Sequence, residues 1–591
     1  MYYELLKQWC DELIHLQVTE IKRKEIYGGI MCPSCARIHG RCGDAIYPLM
    51  YMAERTGDVK YLNGAKRLFI WSENMSRPDG SYINDTNSTW KGITVFFTIQ
   101  LGEALYYHGH LLDEDTRKIW ENRFQNGMEF LYHYIDDAHS NINYPVTCAA
   151  SMAIAGRLWD DKKYSDKATE LAHKALSYIT PEGLLYGEGT PHDHITPKGC
   201  RPVDLGYNVE ESLSGLVTYG VIAKDETVLS AAEKALEAHM EFMLPDGAWD
   251  NSWGTRSNKW TYWGSRTSDG CQIGYGLLSE RNPLFNEVVY RNTKLLKKCT
   301  HDGLLHGGPM YASAGVSPCV HHTFCHAKAI ATLLEHDIQP EGGQKLPRET
   351  AQGIKKFPSI HVALLAKGKW RATVSDYDFE YVEEGNATGG AITMLWHEAI
   401  GPVMAGTMTK YKLVEVNNMQ IPPYLGNICL TPRIEYEKDG TYFRSINDKK
   451  AIVSYDEEES IYVDTTGHLV DGKQNGSIGF RTNYLFSAEK VQIKGQTETD
   501  DAIYCLPIIS KHTDSIQFIS EKKVQITKGS EILDMESNLP FCIKTNKMNR
   551  IFNPVGGFEA IPFYVVMRKD EAAVFSIQLV SDSPVCGKSP V

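Results

Sequence analysis

The sequence predicts a helical toroid of six helix pairs, an (α/α)6 barrel either complete or incomplete, followed by an antiparallel β-sandwich domain. Three observations carry this. Up to about His336, amphipathic charge-rich segments alternate with segments rich in Gly, Ala and aromatics, at a spacing that marks a closed helical repeat array. Beyond a polar stretch the hydrophobic period changes to two. One turn recurs four times, as "RPDGSYIND" from Arg77, "TPEGLLYGEG" from Thr180, "LPDGAWDNSWG" from Leu244 and "THDGLLHGGP" from Thr300.

In order along the chain, the amphipathic segments are 2–27, 58–75, 115–136, 162–179, 226–243 and 284–299, each expected to be an outer helix with one polar face. The inner, closely packed helices are expected at 42–56, 91–108, 144–158, 205–223, 268–280 and 318–335. Each Asp/Glu-Gly pair is read as the end of an outer helix, with Gly supplying a left-handed cap. A long loop rich in Trp, Tyr, His, Arg and Asn then leads from each pair to an inner helix, and loops of that length are usually functional. The toroid domain is thus set at 1–337, a linker "IQPEGGQKLPRETAQ" at 338–352, and the β-domain at 353–591. Its segments, such as "SIHVALLAKGKWRATVSDYDFEYVEE", alternate apolar and polar residues between Gly, Asn and Asp turns. A chain of 591 residues is too long for one core, which stops growing near about 300 residues.

The composition, 42% hydrophobic and 23% charged, is that of a globular protein, and no apolar run is long enough to span a membrane. The start, MYYELLKQWCDEL, reads as an amphipathic helix without the pattern of a secretory signal, which leaves localisation open. A net charge of −13 argues against nucleic acid as a partner, so an anionic ligand has to be gripped locally. Nothing in the sequence sets an oligomeric state. Among fourteen cysteines only Cys32 and Cys35 form a CxxC, read first as reduced thiols and second as a metal or redox pair.

If the inner helices open on one end, their N-termini and the preceding loops share a single pit, where helix dipoles favour anions. The first repeat brings Arg37, His39, Arg41 and Asp44 there, the second Trp90 and Lys91, the third Asn143 and Tyr144. The fourth adds Glu188, His192, His194, Lys198, Arg201 and Tyr207. The fifth adds Trp253, Arg256, Lys259, Trp260, Trp263, Arg266 and Asp269, and the sixth His306, Tyr311, His321, His322 and His326. Cations gathered beside aromatic platforms suit a sugar that carries a carboxylate.

A six-pair toroid followed by an antiparallel β-sandwich resembles the polysaccharide lyases that act on chondroitin, hyaluronan, alginate and heparin-type substrates. The resemblance covers nearly the whole chain, on loose motifs: "SNINYPVT" with Asn143, and the loop from Glu182 with His192 or His194 followed by Tyr207. It implies that Asn143 neutralises a uronate carboxylate. It extends to the lyases that remove rhamnose caps from glucuronate on arabinogalactan side chains, and implies an exported protein, periplasmic or at the surface of a bacterium. It implies no cofactor, although a divalent metal is an alternative.

Elimination at a uronate requires a donor for the carboxylate, a base for the C5 proton and an acid for the leaving O4. The donor is expected to be Asn143 with Arg266 or Arg41; the base and acid, Tyr207 with His194 or His321. Arg37, His39, Arg41, Trp90, Lys91, His192, Arg201, Arg256, Trp260, Trp263, Tyr311 and His322 are expected to bind substrate. Plainer readings stand beside these: Asn143 as a helix cap, Tyr207 as a core aromatic, His192 and His194 as surface residues, Arg266 as the partner of Asp269. His322 and His326, four apart with Cys319 or Cys325 nearby, also have zinc-ligand spacing. A glycoside hydrolase with two opposed carboxylates, drawn from Asp44, Asp85, Glu188, Glu210, Glu211, Asp250 and Asp269, is the rival reading, and a non-catalytic glycan binder the third. In the β-domain, Trp396, His397 and Glu398 stand at a strand end, read first as a turn with a packed Trp.

Overall fold

Outer helices start where an Asx side chain satisfies the first free amides. Asp58, Asp113, Asp161, Asp225 and Asn282 accept from the backbone N–H groups of Lys60, Thr116, Lys163, Val228 and Leu284. The computed structural model describes residues 1–85, 88–136, 141–189, 192–415, 419–420, 429–543 and 550–581. Among these, the helical part runs α1 (Tyr2–His15), α2 (Ile46–Thr56), α3 (Val59–Trp71), α4 (Thr94–His108), α5 (Glu114–Tyr134), α6 (Asn143–Trp159) and α7 (Lys162–Ala175). It continues with α8 (Leu205–Tyr207), α9 (Leu213–Ala223), α10 (Glu226–Met240), α11 (Gln272–Leu277), α12 (Pro283–Lys298), α13 (Val320–Glu335) and α14 (Pro347–Thr350).

Inner helices α2, α4, α6, α9, α11 and α13 pack each on the next, and α13 packs back on α2, which closes the ring. Outer helices α3, α5, α7, α10, α12 and α1 lie against α2, α4, α6, α9, α11 and α13 in turn. The inner helices α4, α6 and α13 are buried nearly throughout, as their small and apolar sequences require.

The recurrent Asp/Glu-Gly turn is not a helix cap. It is the tip of a small β-hairpin placed after the outer helix has ended, with bridges Ser76 to Tyr82, Ile179 to Leu185, Met243 to Trp249 and Thr300 to Leu305. Its glycines have φ of 86°, 89°, 90° and 79°, the left-handed region that a residue with a Cβ avoids. They also touch the next outer helix. A Cβ on Gly80 would stand 2.2 Å from the Asn126 carbonyl of α5, on Gly247 2.5 Å from that of Arg291 on α12, on Gly183 2.8 Å from Ala238 on α10 and on Gly303 2.7 Å from Glu12 on α1. Each hairpin therefore fastens one outer helix to its neighbour, and the fourth joins the last outer helix to the first.

The chain divides into two units, 1–350 with 415–420, and 351–414 with 421–591. Residues 338–350, expected as a linker, are tied to the helical unit instead. Glu287 accepts from the amides of Gly343 (2.6 Å) and Gln344 (2.9 Å), Arg291 pairs with Glu349 at 2.9 Å and Arg348 with buried Asp250 at 2.7 Å. No described helix is long and apolar enough to cross a membrane.

The β unit is antiparallel. One sheet orders the strands Ile452–Glu457, Ile461–Leu469, Ile478–Phe486, Lys490–Thr497, Ala573–Ser581, Glu531–Ser537, Lys523–Lys528 and Ser515–Ser520; another is built round Ile503–Ile509 and Phe558–Val566; a third runs from Gly353–Phe357 to Gly401–Ala405. Val463, Ile493, Leu506, Ile561 and Phe575 share its core. Trp396 is buried on its strand and His397 packs edge-on against Trp370 at 4.5 Å.

Candidate active site

Five inner helices, α2, α4, α6, α11 and α13, begin without a side-chain cap. The fourth inner helix is built differently. Asp204 accepts from the backbone N–H of Tyr207 at 3.1 Å, and a π turn, Asn208–Ser212, interrupts the helix before α9. A π turn leaves the ordinary ladder and often marks a working site. Here it buries two adjacent carboxyls, Glu210 and Glu211.

Tyr207, 4% exposed, has its hydroxyl against Thr267 Oγ1 and receives a hydrogen bond from Lys259 Nζ at 2.9 Å. The Arg256 guanidinium lies over its ring at 3.8 Å. Arg256 holds a left-handed backbone, φ 50°, unusual for a residue with a Cβ, and pairs with Glu188 at 2.7 Å and Asp204 at 3.0 Å. Lys259 also pairs with Glu415 at 2.8 Å. Burial pushes the Tyr207 hydroxyl well above its ordinary pKa, against the lowering effect of Arg256, so the phenol rests protonated.

Asn143 is the first residue of α6, and its amide donates to Glu211 Oε1 at 2.6 Å. Burial raises the Glu211 carboxyl to about 8, opposed by Arg41 and by the Asn143 hydrogen bond. Arg41 is anchored on Asp44 (2.6 Å), Asp269 (3.2 Å) and the Thr267 carbonyl (2.7 Å). Asp269 in turn pairs with Lys328 at 2.8 Å.

His321 is buried, with its ring 5.6 Å from His39 and stacked on Phe324 at 4.8 Å. Among the described residues neither of its ring nitrogens has a hydrogen-bond partner. Burial first, and then the charge of Arg41, hold it well below its ordinary pKa, so it is a neutral imidazole. Two cations act on more than one of these groups: Arg41 on Glu211, the partner of Asn143, and on His321, and Lys259 on Tyr207 and His321. Trp90, 37% exposed, donates its indole N–H to the Tyr144 hydroxyl at 3.2 Å, and Tyr144 precedes Pro145 in the first turn of α6.

Other sequence candidates land elsewhere. His194 is exposed, and His192 is buried edge-on against Tyr178 at 5.4 Å, next to the outer helix α7. Trp260 and Trp263 are packing residues and not sugar platforms, because both are fully buried and their indole N–H groups donate to the carbonyls of Trp249 and His306, each at 2.8 Å. Arg266 does not serve as the partner of Asp269; it is buried beside Tyr311, which its charge acts on, and beside His322. Lys91 pairs with Asp79, Arg201 lies over Tyr186 at 4.4 Å, and Arg37 is exposed. His322 and His326 share a helix face against Trp263, at 5.6 and 4.5 Å. They do not converge with Cys325, which turns to Asp44, so that proposed zinc set is absent among the described residues.

Thr267 has no part in the sequence reading, Lys259 stands in the pit without a stated role, and Glu211 counts only among the carboxylates of the hydrolase reading. The one signal for Glu211 was a Glu-Glu pair inside an otherwise apolar helix. Most of the carboxylates that a hydrolase could use are committed: Asp44 and Asp269 to Arg41, Asp250 to Arg348, Glu188 to Arg256, and Glu210 to the Ser265 amide and the Ser268 hydroxyl, while Asp85 accepts from the Gly40 amide and Glu211 from Asn143. Beside these stand a protonated phenol, a neutral imidazole, and a carboxamide bonded to the raised Glu211 carboxyl, set among cations.

Comparison with known proteins identifies relatives of the chain. Residues 6–350 match the ulvan lyase N-terminal domain and residues 354–580 the ulvan lyase C-terminal domain. Over 577 residues the chain is 41% identical to the broad-specificity ulvan lyase of Formosa agariphila, covering 95% of this chain and 90% of that one. Among solved structures, heparinase III is similar with a TM-score of 0.57 at 13% identity, over 92% of this chain and 76% of its own. The chondroitin AC lyase of Streptomyces coelicolor A3 gives 0.53 at 14% identity, over 98% and 79%; at such identity the likeness is one of fold. The chain belongs to the ulvan lyase family and is a lyase that acts on polysaccharides.

Proposed function

We propose that the protein cleaves a uronate-bearing polysaccharide by β-elimination at O4 of the uronic acid, with ulvan, the substrate in the name of its Formosa relative, as the first candidate. The observation that carries this is a protonated acid and a neutral base that share one cation, Lys259, namely Tyr207 and His321. Two groups whose environments push their protonation apart make an acid and base pair ready at neutral pH. In this reading His321 takes the C5 proton and Tyr207 gives its proton to the departing O4, with Lys259 steadying the phenolate that this leaves. Asn143 and the protonated Glu211 donate to the uronate carboxylate, where charge builds in the transition state, and Arg41 supplies the positive field behind them.

The uronate favoured is glucuronate, because its C5–H and O4 lie on one side of the ring, within reach of one acid and base set. Removal of a terminal rhamnose from glucuronate on arabinogalactan is a second reading, favoured by the net charge of −13, which suits trimming an end over tracking along a polyanion.

The test is ultraviolet absorbance on incubation with ulvan and, separately, with glucuronate-bearing arabinogalactan. Elimination yields a conjugated C4=C5 uronate that absorbs. Tyr207→Phe and His321→Asn are expected to lower kcat by about 10²- to 10⁴-fold. New reducing ends without absorbance would establish hydrolysis, and full activity in Tyr207→Phe would remove the assigned acid.

A further inference from the structure

The CxxC pair does not stand alone in the structure. Residues 31–38, "MCPSCARI", fold into a tight hairpin: Met31 bridges Ile38, the Cys32 amide donates to the Arg37 carbonyl at 2.9 Å, and the Ala36 amide donates to the Cys32 carbonyl at 2.9 Å. Ala36 takes φ 52°, a left-handed conformation that a residue with a Cβ adopts only when its surroundings demand it. The turn gathers Cys32 Sγ, Cys35 Sγ and His39 Nε2 so that all three lie within 4.8 Å of one another. A fourth group comes from the far end of the ring. Cys319, the residue before α13, has its Sγ 3.9 Å from Cys32 Sγ and 3.5 Å from His39 Nε2, and Cys35 Sγ is 3.4 Å from the same nitrogen.

We propose that Cys32, Cys35, His39 and Cys319 bind one zinc ion. Ligands at about 2.3 Å for sulfur and about 2.0 Å for nitrogen, spread tetrahedrally, stand about 3.8 Å apart for two sulfurs and about 3.5 Å for sulfur and nitrogen. Three of the six edges, at 3.9, 3.5 and 3.4 Å, match these values, and Cys32, Cys35 and His39 lie within 4.8 Å of one another. A disulfide would bring two of the sulfurs to about 2.05 Å, and hydrogen bonds between thiols are too weak to hold four such groups together. Three soft thiolates and an imidazole select zinc over magnesium or calcium. All four positions are filled by the protein, so the ion is structural and has no open site for water or substrate.

The site joins the loop before α2 to the start of α13, where the ring closes. It bears on the proposed reaction by position. Arg41 follows His39 by two residues, His321 follows Cys319 by two, and the rings of His39 and His321 are 5.6 Å apart. Metal binding itself does not depend on the substrate reading.

The full chain, purified without chelator and without a metal-binding tag, is expected to carry about one zinc per chain by elemental analysis. On native alkylation read by peptide mass spectrometry, Cys32, Cys35 and Cys319 are expected to be protected, and to react once zinc is stripped by a chelator. Protection of Cys35 is diagnostic because its side chain is solvent-exposed. Cobalt refolded into the chain should give thiolate-to-metal charge-transfer bands and the visible spectrum of a tetrahedral ion. Cys319→Ser should lose the metal and lower Tm. Should that variant fail to fold, the zinc content and alkylation pattern of the native chain decide. Zinc-free protein that takes up none on refolding, ready alkylation of Cys35 with zinc present, or a disulfide among the three cysteines would each overturn the proposal.

Discussion

At the scale of single residues, Glu211 gives the sharpest prediction. Its carboxyl, raised to about 8 by burial, carries its proton at neutral pH and donates. As pH rises through that value the proton leaves, and the new negative charge repels a uronate carboxylate. The kcat/KM profile, which reports the free enzyme, should therefore fall on an alkaline limb near 8. Glu211→Gln keeps a neutral donor and should flatten that limb while retaining activity at neutral pH; an unchanged limb would assign it to another group. Asn143, Tyr207 and His321, the residues of the proposed chemistry, could be singled out in the sequence because each stands where an inner helix begins. Their partners were not: Lys259 meets Tyr207 across 52 residues and Glu211 meets Asn143 across 68. Trp260 and Trp263 misled for a related reason, since an indole N–H satisfied by a backbone carbonyl leaves no trace in composition.

At the scale of elements, amphipathic periodicity placed the outer helices, while the four Asp/Glu-Gly turns were read as caps because a cap glycine and a hairpin glycine share one left-handed conformation. The helix that each tip touches separates them, and that contact is tertiary. Gly247→Ala tests it. The substitution forces a Cβ into φ 90° and against the Arg291 backbone. A loss of about 2 kcal/mol or more is expected by denaturant titration, whereas Gly57→Ala, whose Cβ would meet nothing within 4 Å although φ is 68°, should cost less. Equal losses would mean that conformation alone matters and that the hairpins do not fasten the ring.

The ring as a whole is closed by buried charge as well as by packing. Lys328 on α13 reaches Asp269, ahead of α11, at 2.8 Å and Glu103 on α4 at 3.7 Å, and Asp269 passes the link to Arg41, ahead of α2. Removing one member of such a network strands the others without water. Lys328→Met is therefore expected to destabilise by about 3 kcal/mol, with a smaller loss in the double variant Lys328→Met, Glu103→Leu. Glu415, which stands within the β sequence yet belongs to the helical unit, pairs with Lys259 in the same unit. It was illegible because nothing in a short polar stretch declares which distant element it will join.

The last prediction concerns the net charge of the molecule. At −13 the chain repels an anionic polysaccharide at long range, while the cations around Tyr207 and Asn143 are buried and act at contact distance. These two effects respond differently to salt. The Debye length falls from about 30 Å at 0.01 M to about 10 Å at 0.1 M, so added salt screens the long-range repulsion first and reaches buried groups much less. The kcat/KM for the intact polysaccharide should therefore rise, by about two- to threefold, over that range. A short oligosaccharide with one uronate should change less, because it meets little of the distant charge. A steep fall with salt for the long chain would show that an exposed cationic surface guides the substrate, and the site would then have to extend beyond the buried cluster around Tyr207.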